Sequence, residues 1–204
     1  EGGEVVGHAA WCSTIHSKAR LSYDQVDAVL EGAFPAAELP HEPEASAQDI
    51  EELLRMLDEV ARLRRHVRRE RGAVDFETVE AKVELDGEGV PTGVSVRERT
   101  RATSLVEEAM LVANEVVAQM LAPHAEEVPC AFRVHERPAP DSMGQALLAL
   151  RELDLLEPGE YERLRAADPF ALQDVLERAS GTSAEVPANS LLLRAQKRAV
   201  YLPR

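Results

Sequence analysis

The chain has 204 residues, 45% of them hydrophobic and 29% charged, which is enough to bury a core and a length expected for one domain, or one with an added lobe. Its formal net charge of −14 excludes a surface given over as a whole to duplex DNA or anionic lipid, while leaving room for a local basic track, since the field in a groove depends on nearby charges. The two cysteines, Cys12 and Cys130, lie far apart; no apolar run reaches membrane-spanning length and "EGGEVVGHAAWC" lacks a signal-peptide pattern, so a cytoplasmic chain with no membrane partner is expected.

In chain order, residues 4–21 read as strand, with Val5, Val6, Trp11 and Ile15 among Ser and Thr and no helical stripe. Ser22 is a candidate N-cap for "YDQVDAVLEG" and Gly32 a candidate stop. "AFPAAELPHEPEAS", with three prolines, is a surface loop. A long helix starts at Ser46, its stripe formed by Ile50, Leu53, Leu54, Leu57, Val60, Ala61 and Leu63, and Gly72 ends it. Acids crowd its front half and arginines its back half, matching the helix dipole. "AKVELDGEGVPTGVSVRER" is a hairpin turning at "DGEG". The helix "ATSLVEEAMLVANEVVAQMLA" is apolar round most of its girth and is expected to be central. A short strand, "CAFRVHERP", precedes three further helices, "DSMGQALLALRELDL", "DPFALQDVLERASG" and "NSLLLRAQKRAV". The expected class is α+β, with helices packed over a small mixed, partly antiparallel sheet.

Few residues carry an obvious chemistry. His8, Cys12 and His16 fall at steps of four, but in a strand they lie too far apart to close a tetrahedral metal site. There is no phosphate-binding glycine loop, nucleophile elbow or zinc-protease motif. "RLRRHVRRERG" is the densest positive run, either a solvated helix end paired with acids one turn earlier or a phosphate contact. Tyr23 stands at a helix start, a place where a ring can pack as a staple, and reads as structural. Phe76, between the Gly72 break and the hairpin, reads as a ring capping the sheet. Glu108 lies beside Glu107 on an otherwise apolar helix, so one of the two faces inward and needs a partner.

Five blocks, "IHSKARLSYDQVDAVL", "RGAVDFETVEAKVELD", "RERTRATSLVEEAMLVANEVVAQML", "FRVHERP" and "LLLRAQKRAVYLP", occur in the order seen in the ribonuclease II/ribonuclease R family, and nearly the whole chain resembles the middle of its RNB-type catalytic domain. The resemblance implies a fragment, residues 1–204, of a processive hydrolytic 3′→5′ exoribonuclease that takes single-stranded RNA and releases nucleoside 5′-monophosphates. It implies RNA-binding roles for Tyr23, along the strand; for Phe76, stacked on a terminal base; and for Glu108, at the last nucleotides. Stacking suits an enzyme indifferent to sequence, because every base has a π-face, and a carboxylate can accept from the 2′-hydroxyl that marks RNA. Lys18, Arg20 and the arginines near residue 65 are candidates for neutralising phosphate.

The family's aspartate-rich motif, which holds Mg²⁺, and its later Ser-Pro-Ile-Arg segment have no counterpart in these residues. The expectation is therefore that Mg²⁺ serves the full-length enzyme and is not bound by this chain, which holds the RNA 3′ end, has no catalytic residue of its own, and works with missing portions of the same polypeptide. The alternative is a non-catalytic RNA- or protein-interaction module of the same descent.

Overall fold

A polar cap decides where the first helix starts. In the structure, a computed structural model describing residues 2–77, 80–97, 99–124, 127 and 130–203, helix α1 (Tyr23–Leu30) opens on a reciprocal cap. The Ser22 hydroxyl accepts from the Gln25 N–H, and the Gln25 side chain accepts from the Ser22 N–H at 2.8 Å. Gly32, at φ +75°, lets the chain turn away after it. Helix α2 (Ala47–Glu70) follows Ser46, whose carbonyl accepts from the Ile50 N–H. The other elements are β1 (Glu80–Leu85), β2 (Pro91–Arg97), α3 (Arg101–Leu121), β3 (Ala131–Val134), α4 (Pro140–Glu152), α5 (Tyr161–Arg165), α6 (Pro169–Ala179), α7 (Glu185–Ala195) and β4 (Val200–Pro203).

The class is α+β, as expected, with its sheet in two parts. Among the described residues, β1 pairs antiparallel with β2 and β3 pairs antiparallel with β4, each a two-stranded ladder. The β1–β2 turn is fixed by Asp86, whose Oδ1 accepts from the N–H groups of Glu88 and Val90, both at 2.9 Å.

Three expectations are corrected. Residues 4–21 form no strand: only Ala19 makes a bridge, to His41, and Val6, Trp11 and Ile15 are exposed, with no strand among the described residues paired to them. The last helix is not continuous to Val200; it ends at Ala195, and Val200–Pro203 pairs with β3. Finally, α3 is fully buried only at Ala102, Leu105 and Glu108, in its N-terminal half, while Val106, Met110, Val117 and Leu121 are exposed, so it is not the apolar, central helix expected.

The chain divides into two compact units, the first running to Arg68 and resuming over Arg99–Leu121, the second comprising Arg69–Glu98 and Ala122–Arg204. The first has a core of Val29, Leu30, Ala36, Leu39, Ile50 and Leu54. Asp27 of α1 accepts from the Ala102 N–H at 2.8 Å, capping α3 from a neighbouring helix. Arg101 donates to the Leu30 carbonyl at the end of α1 and pairs with Asp58 of α2, so three helices meet at one knot of polar contacts.

The second unit is built round Met143, Leu147, Leu150, Leu164, Val175 and Leu192, all buried, from α4, α5, α6 and α7. Burying each large side chain of this kind contributes roughly 1.5–3 kcal/mol. Asp168 caps α6 by accepting from Phe170 N–H at 2.9 Å and binds Arg163 at 2.8 Å. Arg178 closes the loop after α4 by donating to the Leu155 carbonyl and to Glu160.

Candidate functional site

Tyr23 is the first residue of α1, and the Ser22–Gln25 cap fixes the backbone that carries it. It is 43% exposed, so the ring is open to solvent rather than packed down as the expected staple. Just before it, Lys18 and Arg20 are also exposed, on a segment held by the Ala19–His41 bridge and by a Glu42 N–H to Lys18 carbonyl bond of 2.8 Å. The first unit therefore places a ring and two cations on one short surface stretch.

Glu108 is 2% exposed. Arg68 of α2 binds both its oxygens, with Nη2 to Oε1 at 2.6 Å and Nε to Oε2 at 3.1 Å. Such a two-point pair fixes the guanidinium plane and satisfies a carboxylate that would otherwise be costly to bury. Its neighbour Glu107 faces outward and pairs with Arg99 at 2.6 Å. The sequence shows that one of the two acids must turn inward; it does not show that Arg68, forty residues earlier, meets it.

The arginine-rich end of α2 is largely engaged with acids and carbonyls far away in sequence. Arg64 is buried, donating to the Gly3 carbonyl at 2.9 Å and to Glu115 at 2.6 Å. Arg65 donates to the Ser104 hydroxyl at 3.2 Å. Arg69, in the second unit, pairs with Glu177 of α6. These partners come from α3, from α6 and from the segment before α1 rather than from the preceding turn of α2.

Phe76 belongs to the second unit, where it is half-buried and packs with Val74 against the core of α4–α7. This differs from the expected ring over the sheet: the helices supply the apolar surface it sits on. The chain reaching it is tightly held. Gly72 has φ +89°, and a Cβ there would stand 2.9 Å from Pro169 Cγ. Gln173 donates to the carbonyls of Arg69 and Ala73, at 3.0 and 2.7 Å, and Asn189 accepts from the Glu77 N–H at 2.8 Å. Neither Gln173 nor Asn189 stands out in the sequence as functional.

His8, Cys12 and His16 are exposed, and among the described residues no three His, Cys, Asp or Glu side chains gather where they could hold a metal ion. The described residues therefore do not fit the Mg²⁺ that the resemblance implies. Among them, too, no helix is long and apolar enough to cross a membrane.

The family model described as the RNB domain matches residues 1–204, and the chain belongs to that family. Within it, the chain is similar to ribonuclease R. It is 34% identical over 200 residues to ribonuclease R of Thermotoga maritima, covering 98% of this chain and 26% of that protein. It is 35% identical over 205 residues to ribonuclease R of Aquifex aeolicus, covering 100% and 27%. The chain thus spans about a quarter of the length of these relatives. Its fold resembles that of Mycoplasma genitalium RNase R, solved in complex with ribose-methylated single-stranded RNA, with a TM-score of 0.76 and 24% identity over 91% of this chain and 27% of that one.

Proposed function

We propose that these residues are the strand-holding part of a 3′→5′ exoribonuclease that degrades single-stranded RNA processively to nucleoside 5′-monophosphates. The observation that carries this is the match of the RNB family model to the whole of residues 1–204. In this reading Tyr23 lies along the RNA, Phe76 stacks on the terminal base, and Glu108 meets the last nucleotides. The exposure of Tyr23 and the half-burial of Phe76 support it, since a stacking ring needs one face free and its other side anchored. Glu108 already accepts from Arg68; a carboxylate offers about four acceptor positions, so a ribose hydroxyl can be added once the group is uncovered. Mg²⁺ and the hydrolytic step are assigned to other parts of the intact protein.

The test uses the intact protein with Mg²⁺ and single-stranded RNA labelled at its 5′ end. The expected result is a ladder shortening from the 3′ end, with 5′-mononucleotides released and DNA of the same sequence spared. Phe76→Ala should weaken handling of the last few nucleotides while leaving Mg²⁺ affinity unchanged. Saturable RNA binding without cleavage would replace the enzyme by the non-catalytic module, and shortening from the 5′ end would sink both polarity and clamp.

A further inference from the structure

We propose that Gln173 and Asn189 are positioning residues for Phe76: together they strap the segment that carries the ring onto the helices α6 and α7. The inference rests on Phe76 being the base-stacking ring, and it adds how that ring is held.

Residues 71–77 form no helix or strand, so their backbone groups need partners from elsewhere. Two of those groups, and one carbonyl of the last turn of α2, are met by two side chains. The Gln173 amide on α6 donates to the Arg69 carbonyl at 3.0 Å and to the Ala73 carbonyl at 2.7 Å, bridging the end of α2 and the start of the segment. Asn189 on α7 accepts from the Glu77 N–H at 2.8 Å, directly after the ring. Asn189 is 4% exposed, and its own amide is oriented by donation to the Glu185 carbonyl at 3.0 Å. A buried amide with donor and acceptor both used has one orientation, so the Glu77 N–H has one place to sit. Between the two carbonyls that Gln173 holds, the backbone at Gly72 runs so close to α6 that a Cβ there would stand 2.9 Å from Pro169 Cγ.

The ring itself is half-buried, held by apolar packing against the core of α4–α7. Apolar contact is non-directional, so it retains a phenyl group without fixing its angle. Stacking needs a fixed angle, and directional bonds at both ends of the segment supply it. An outer loop merely packed on helices would not require a buried side-chain amide spent on the peptide next to the ring.

The test measures, in the intact protein and with EDTA to prevent cleavage, the affinity for single-stranded RNA ending in a normal 3′ nucleotide and for the same RNA ending in an abasic one. The wild type should prefer the base-bearing end by about tenfold, and Phe76→Ala should remove the preference. Gln173→Leu and Asn189→Leu should each reduce it to about two- to threefold with the abasic affinity unchanged, whereas Gln173→Lys, which keeps an N–H donor, should retain most of it. Combined with Phe76→Ala, neither Leu variant should have a further effect. Gln173 is only half-buried, so its variant tests the strap even where Asn189→Leu fails to fold. A full preference in Gln173→Leu, or equal losses for base-bearing and abasic ends, would overturn the positioning role alone. A preference that survives Phe76→Ala would overturn the stacking assignment and the strap with it.

Discussion

At the scale of single residues, the two adjacent acids of α3 separate structural from surface electrostatics. Glu108 is buried with Arg68, whereas Glu107 and Arg99 meet at the surface. Removing one partner of a buried pair leaves the other charge without compensation, so Glu108→Ala should lower stability by about 3–5 kcal/mol. Glu107→Ala should change it by less than about 1 kcal/mol, and urea melts of the two variants distinguish these outcomes. Asp168 gives a second prediction. The hydrogen bond from Arg163 holds its carboxylate below the ordinary range, helped by the Phe170 and Ala171 N–H groups. A depressed folded-state value means stability that is present above the unfolded value, near pH 4, and lost as pH falls through the folded one. Asp168→Asn should therefore flatten the acid side of the stability curve, read from melts between pH 5 and about 2.5. Glu160 adds to the same trend: burial alone would raise it, but Arg178 and the Glu157 N–H together bring it below its usual value.

At the scale of elements, what is legible depends on whether the signal is local. Ser22, Gly32, Gly72 and the "DGEG" turn mark their boundaries because each acts within a few residues of itself, and all four do so in the structure. The strand expected over 4–21 fails because apolar residues among Ser and Thr, with no helical stripe, cannot supply the neighbouring strand a ladder requires. The end of α7 fails for the opposite reason: β3, some seventy residues earlier, recruits Val200–Pro203 into a ladder that helical periodicity does not foresee. The acid of the Arg68–Glu108 pair is visible in sequence and the base is not, since many arginines in α2 compete for the role. Gly72 shows how a local signal and a tertiary contact reinforce each other. Its φ of +89° and the Pro169 ring, 2.9 Å from where a Cβ would stand, both oppose a side chain. Gly72→Ala should destabilise the second unit by more than about 1 kcal/mol, against the modest gain that the same change gives where the backbone permits it. A thermal melt with unchanged or raised midpoint would show that the segment before Phe76 tolerates rearrangement.

At the scale of the whole molecule, a net charge of −14 and a proposed nucleic-acid ligand have to be reconciled. Reading the arginine run of α2 as a phosphate track would reconcile them simply, but several of its members already have partners: Arg64 holds Glu115, Arg68 holds Glu108 and Arg69 holds Glu177. Counterion release counts only cations that neutralise phosphate, so residues paired with carboxylates add little to the salt dependence of binding. Lys18 and Arg20 are exposed beside Tyr23 and are better placed. In the intact protein, Lys18→Ala and Arg20→Ala should each make the slope of log affinity against log salt shallower by about 0.7, the single-strand value per phosphate contact. Arg69→Gln should leave that slope unchanged, because its guanidinium already faces Glu177. Tyr23→Ala should weaken binding at every salt concentration without altering the slope, since stacking releases no counterions. Titrating fluorescent single-stranded RNA at four salt concentrations separates these behaviours. A slope that falls for Arg69→Gln and not for Arg20→Ala would move the phosphate path from the approach to α1 to the end of α2, and would take Tyr23 off the strand.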